Sequence, residues 1–137
     1  MTSKPLLGWN SFDSFGGYLH EQAAFAQLEA FATNLAPHGY DYFVVDIGWY
    51  GEYQLKPGTM YPSPETKHAL DAHLDEYGLL QPSQCYFPNG LGPLIQRTHD
   101  LGLKFGVHLM RGITRKAVAL KLPIKGAPGI TAADIAD

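Results

Sequence analysis

The chain has 137 residues, of which 45% are hydrophobic and 17% charged, and a formal net charge of -3. This length fits one domain with a real core, and the composition excludes a disordered chain. The acidic balance and the lack of a basic run argue against nucleic acid or an anionic membrane surface as a partner, and no apolar run approaches the ~20 residues of a membrane span.

Cys85 is the single cysteine. It has no partner for an internal disulfide or a zinc site, which favours a reducing compartment. Met1-Thr-Ser-Lys-Pro5 lacks the apolar core of a signal peptide, so a soluble, cytoplasmic protein is expected.

Leu6-Leu7 reads as a short strand opening into an exit loop, Gly8-Trp9-Asn10-Ser11-Phe12. His20 to Leu35 reads as a helix with Phe25, Leu28, Ala32 and Leu35 on one face, stopped by Pro37 and Gly39. Tyr40 to Val45 begins a second strand. Its sequence, Tyr42-Phe-Val-Val-Asp-Ile-Gly-Trp-Tyr50, is β-branched and apolar and delivers Asp46 just before Gly48 breaks the strand. Residues 51–83 are a long excursion with four of the ten prolines and turn signals such as Pro57-Gly58. Pro64 to Leu74 is assigned a short helical piece within it. Gly90 to Leu101 has a helical pattern capped by Gly102. Lys104 to Met110 is the third strand, Arg115 to Leu120 a further helix, and Thr131 to Asp137 an Ala-rich end. Strands alternating with helices imply parallel pairing through right-handed crossovers, with functional loops leaving the C-terminal ends of the strands. Nothing divides residues 1–137 into two domains.

Three strand ends then converge: Gly8–Phe12, Asp46–Trp49 and His108–Arg111. A sugar site needs a carboxylate to accept hydroxyl hydrogen bonds and an aromatic face for the C–H side of the ring. Asp46 with Phe12 and Trp49 supplies both, and His108 and Arg111 add donors. Each residue also has a plainer reading. Trp9 and Trp49 fit core packing, Asp46 fits a cap on the next turn, and His108 fits a core histidine. His68, Asp71, His73, Asp75 and Glu76 lack the i, i+4 histidine pair of a helical zinc site and fit a solvated loop, so no metal is assigned. Gly16-Gly17 and Gly90-Leu-Gly92 do not match a dinucleotide fingerprint, and Ser11 and Ser14 lack a nucleophile elbow. No cofactor is expected.

Gly8-Trp-Asn-Ser-Phe12, Val44-Val-Asp-Ile-Gly-Trp49, Phe87-Pro-Asn-Gly90 and Gly102-Leu-Lys-Phe-Gly106 resemble the N-terminal part of melibiase-type α-galactosidases, in order and from about Pro5 onward. The resemblance implies a retaining glycoside hydrolase on a (β/α)8 barrel, of which this chain is the first three β/α units, an incomplete TIM barrel. Family members usually carry Asp-Asp at the second strand, where this chain has Asp46-Ile47. The third strand continues as His108-Leu-Met-Arg-Gly112 and then Arg115-Lys-Ala-Val118. Both features resemble the β-L-arabinopyranosidase branch. In the family the carboxylate pair grips hydroxyls at the far edge of galactose, including that on C6. β-L-Arabinopyranose has the same ring configuration without the C6 hydroxymethyl group. Burying that hydroxyl unpaired against Ile47 would cost roughly 1–3 kcal/mol, while a ring that stops at C5 leaves room for it. By the same matching Phe12 takes an aromatic platform position, Asp46 the retained hydroxyl acceptor, and His108 a position usually held by a tyrosine.

The family's two catalytic carboxylates sit at the ends of the fourth and sixth barrel strands, so none is assigned here. The resemblance implies a fragment of a longer enzyme, inactive alone, because a closed barrel needs about 250 residues. An open sheet edge and a bare inner face predict poor solubility, oligomerisation or a loosely packed state when the segment is produced alone, a homo-oligomer being one of these outcomes. Two other readings stay open. One is a non-catalytic carbohydrate-binding half-barrel, and the other is an α/β half-barrel with unrelated chemistry, for which no phosphate loop is found.

Overall fold

The computed structural model describes residues 5–53 and 70–136. In chain order they form β1 (Gly8–Asn10), the single helical turn α1 (Phe12–Phe15), α2 (Glu21–Asn34), a 3-10 turn (Ala36–His38), β2 (Tyr42–Val45), β3 (Gly51–Tyr53), β4 (Leu70–Ala72), α3 (Gly92–Asp100), β5 (Lys104–Val107) and α4 (Arg115–Ala119). β2 lies between β1 and β5, parallel to both, with Asn10 opposite Val44 and Val45 opposite Val107. Parallel neighbours need a crossover, and α2 and α3 occupy the two connections.

Strand alternation sorts the sheet into two faces. On one, Phe43 and Val45 are fully buried against the helices. The Phe43 ring lies 6.0 Å from Phe31 of α2 and stacks at 4.9 Å on Trp9. Leu28, Phe87, Leu91, Leu94 and Leu103 complete this layer. Each such side chain contributes about 1.5–3 kcal/mol by leaving water. The other face carries Gly8, Asn10, Tyr42, Val44, Lys104 and Gly106, none of them buried. The strands are crowded there: a Cβ on Gly8 would lie 2.5 Å from the Tyr42 carbonyl oxygen.

Several boundaries differ from expectation. The first strand is Gly8–Asn10 rather than Leu6-Leu7. Leu7 instead offers its carbonyl to the N–H groups of Asp41 and Tyr42, leading into the ladder. The helix predicted over His20–Leu35 buries Ala24, Leu28 and Phe31, with Phe25, Ala32 and Leu35 at the margin, because Phe31 meets Phe43. Of the helical piece assigned to Pro64–Leu74, the described part is a strand: Leu70–Ala72 pairs antiparallel with Gly51–Tyr53. The rest of that assignment, Pro57-Gly58 and His68 lie outside the described residues. The Ala-rich end forms turns, with an isolated bridge between Pro123 and Thr131.

The β3–β4 arm is held by polar contacts. The Ser83 hydroxyl donates to Glu52, and His73 Nε2 lies 2.8 Å from the other carboxylate oxygen. Lys116 of α4 donates to Asp71 at 2.9 Å and to the Ala72 carbonyl at 3.0 Å. Asp75 takes the N–H groups of Tyr77 and Leu79 at 2.9 and 2.8 Å, forming its own turn. Asp71, His73 and Asp75 therefore serve the arm and its turn.

Two predictions follow from this packing. Gly48 has φ +96°, and a Cβ there would lie 2.3 Å from the Gly17 carbonyl oxygen. Gly48→Ala should destabilise by about 2 kcal/mol or more in urea titration, and an unchanged midpoint would contradict that contact. The Glu52 carboxyl is held below its ordinary value of 4.5 chiefly by the Ser83 hydroxyl, with His73 assisting. A depressed folded-state value contributes stability above the unfolded value and loses it as pH falls through the folded one. Glu52→Gln should remove part of the acid-side loss, and identical acid profiles for both proteins would count against this anchor.

Candidate functional site

Asn10, Asp46 and His108 share one side of the sheet because each lies an even number of residues from the open-face positions of its own strand. The ladder continues past the strands: Ser11 N–H donates to Val44 O at 3.1 Å, and His108 N–H to Val45 O at 2.9 Å. The three polar side chains therefore meet at the C-terminal ends of β1, β2 and β5.

Asp46 is only 8% exposed. One carboxylate oxygen accepts from Asn10 Nδ2 at 2.6 Å, and the other from the Ile47 N–H at 2.7 Å. The Asp46 N–H donates to the buried Ser11 hydroxyl at 2.9 Å. A carboxylate can accept about four hydrogen bonds, so these two donors leave capacity for hydroxyls. His108 Nδ1 stands 3.6 Å from the Asp46 oxygen that Ile47 uses, on a side chain 44% exposed. That exposure distinguishes it from a core histidine.

Aromatic groups frame this centre. Phe12 is 48% exposed at the start of α1, and its N–H donates to Asn10 Oδ1 at 2.8 Å. Asn10 thus joins the Phe12 backbone to the Asp46 carboxylate. Trp49 is buried at 7% exposure, and its indole N–H donates to the His108 carbonyl at 3.1 Å. Tyr50 packs edge-on against it with ring centroids 5.2 Å apart. Burial pushes the Tyr50 phenol up, and the Asp46 charge adds to this. Ile47 is half-buried directly after the acid.

Beyond Trp49 and Tyr50 lies an apolar groove of about 640 Å³, walled by Tyr77, Leu79, Leu109, Met110 and Ile113, with Arg111 among its lining residues. The structure thus gathers Asp46, Ile47, Trp49 and His108 directly and Phe12 through Asn10, while Arg111 lies along the groove that shares Trp49. Among the described residues no cluster of three or more metal-ligating side chains occurs, and no helix is long and apolar enough to cross a membrane.

Sequence reasoning passed over Asn10 and tested Ser11 only as a nucleophile. The available signal was the pairing of two short polar side chains at a strand end with an acid at the end of the next. Ser11→Ala would leave the buried Asp46 N–H without its acceptor. It should cost about 1–3 kcal/mol in urea titration, and a loss near zero would mean that the N–H finds another partner.

No protein-family model matches the chain. It is 28% identical over 115 residues to α-galactosidase A of Cellvibrio japonicus, a match covering 83% of this chain and 23% of that protein. Among solved structures, Abp, a GH27 β-L-arabinopyranosidase from Geobacillus stearothermophilus, is 40% identical with a TM-score of 0.80, covering 97% of this chain and 30% of that one. A protein from Bacillus halodurans described as a putative α-N-acetylgalactosaminidase is 38% identical with a TM-score of 0.77 over the same shares. The chain therefore spans less than a third of each of these relatives, and its parallel sheet is consistent with part of a barrel. The strand-end motifs, the clamped acid that follows the second strand and these matches agree: the chain matches the N-terminal portion of the melibiase-type α-galactosidases, GH27.

Proposed function

We propose that this chain supplies the first three β/α units of a retaining glycoside hydrolase that releases terminal β-L-arabinopyranose or α-D-galactose, with the pentopyranose preferred. The observation that carries this reading is the Asp46 carboxylate, fixed by Asn10 and the Ile47 N–H with acceptor capacity to spare, beside His108. Asp46 accepts sugar hydroxyls, and His108 donates to one of them. Phe12 offers its exposed ring to the apolar side of the sugar. Trp49 backs the pocket and holds the His108 backbone in place. Arg111 marks the outer rim along the groove.

Ile47 sets the preference. A methyl-bearing side chain beside the acid cannot accept the C6 hydroxyl of galactose, and that hydroxyl would be buried unpaired. A pentopyranose has no such group to satisfy. The two carboxyl groups that a retaining mechanism places roughly 5–5.5 Å apart are assigned outside this segment, and Asp46 binds rather than attacks. The segment alone is accordingly proposed to bind sugar without turnover.

Ile47→Asp in the full-length enzyme tests the preference. The ratio of kcat/KM on α-galactosides to that on β-L-arabinopyranosides should rise by about tenfold or more. An unchanged ratio would remove Ile47 from the specificity of the site.

A further inference from the structure

Asn10 sits where a side chain of its kind can govern Asp46. It lies on the open face of β1, opposite Val44, two residues short of the acid on the neighbouring strand. Its Nδ2 donates to Asp46 at 2.6 Å, while its Oδ1 accepts the Phe12 N–H at 2.8 Å. The second bond settles which end of the amide faces the acid. With Oδ1 engaged by a backbone donor, only the NH2 group can turn toward Asp46, as a neutral donor. The carboxylate is then oriented without being neutralised by a cation, and keeps its charge and its remaining acceptor capacity for a ligand.

We propose that Asn10 is a positioning residue for sugar binding: it fixes the rotamer of Asp46 and couples it to the Phe12 platform, so that the acceptor and the aromatic face hold one spacing. This rests on the proposed sugar-binding role of Asp46. Ser11 holds the Asp46 backbone N–H and the Ile47 N–H bonds one carboxylate oxygen from the next residue, whereas Asn10 holds the other oxygen from the adjoining strand. Loss of Asn10 leaves Asp46 free to swing toward His108, 3.6 Å away, and to spend on the imidazole the capacity that hydroxyls would use.

The test is calorimetric titration of the full chain with methyl β-L-arabinopyranoside. Asn10→Ala should weaken binding by about tenfold or more while near-ultraviolet circular dichroism stays native. Asn10→Asp nearly preserves shape but sets two carboxylates within hydrogen-bonding distance, and such a pair must share a proton to remain there. Its affinity should be retained in acid and fall as pH rises, more steeply than in the parent. Parent and variant share the other groups that titrate beside Asp46, His108 at the end of β5 and Tyr50 after β2. A purely structural asparagine would not produce that pH profile. Binding within about twofold of the parent in Asn10→Ala, or a parent-like profile in Asn10→Asp, overturns the inference and leaves the proposed function standing. A parent chain that binds no such sugar overturns both. The clamp itself is read without sugar from the Asn10 side-chain amide proton resonances, which should move in Asp46→Ala. If they do not, the inference fails.

Discussion

A carboxylate carried into near-burial at the end of a parallel strand has to be compensated, and the arrangement around Asp46 follows from that requirement. Desolvating an unpaired charge is expensive, so the chain surrounds this one with donors from its own segment and from the neighbouring strand. The Ile47 N–H comes from the next residue, and the Asn10 amide from β1. His108 approaches from β5 without closing to a hydrogen bond. Compensation is therefore sufficient to hold the acid and incomplete enough to leave it useful to a ligand.

The register of the sheet makes this possible. Gly8 has no side chain where it faces Tyr42, which lets β1 lie close enough for Asn10 to reach Asp46. Past the strands, the Ser11 and His108 N–H groups continue the ladder by one step each, holding the two flanking ends level with the acid. Trp49 then closes the turn after β2. Its indole bonds the His108 carbonyl, and its own carbonyl accepts the Ser83 N–H at 2.8 Å. Ser83 also reaches Glu52 of the arm. Support for the site thus runs outward through part-buried polar contacts to β3 and β4, while the opposite face of the sheet rests on the Phe31–Phe43 layer.

Much of this was legible in the sequence, for identifiable reasons. Val44-Val45 ending in an acid and a glycine declares a buried strand with a carboxylate at its exit, and the helices betray themselves by period and by flanking Pro and Gly. The strand-end motifs also pointed to the family. The β3–β4 pairing was not legible, because three-residue strands separated by a proline-rich stretch carry no periodicity. The first strand shifted by two residues because Leu6-Leu7 looks more strand-like than Gly-Trp-Asn, whereas the actual choice is made by packing of Trp9 on Phe43. Asn10 escaped notice for a related reason. Its importance lies in a cross-strand partner 36 residues away, and no local pattern reports that. Trp49 fits from sequence both a sugar-facing aromatic and core packing, and its burial and its bond to the His108 carbonyl add the part of a brace.

The central claim is that sugar hydroxyls are received at the clamped Asp46. A crystal structure of the full chain with bound L-arabinopyranose tests it most directly. The account predicts ring hydroxyls within about 3 Å of the Asp46 oxygens, with His108 in reach of one of them and the ring beside Phe12. A sugar seated in the groove among Tyr77, Leu109 and Met110, with Asp46 uncontacted, would contradict it.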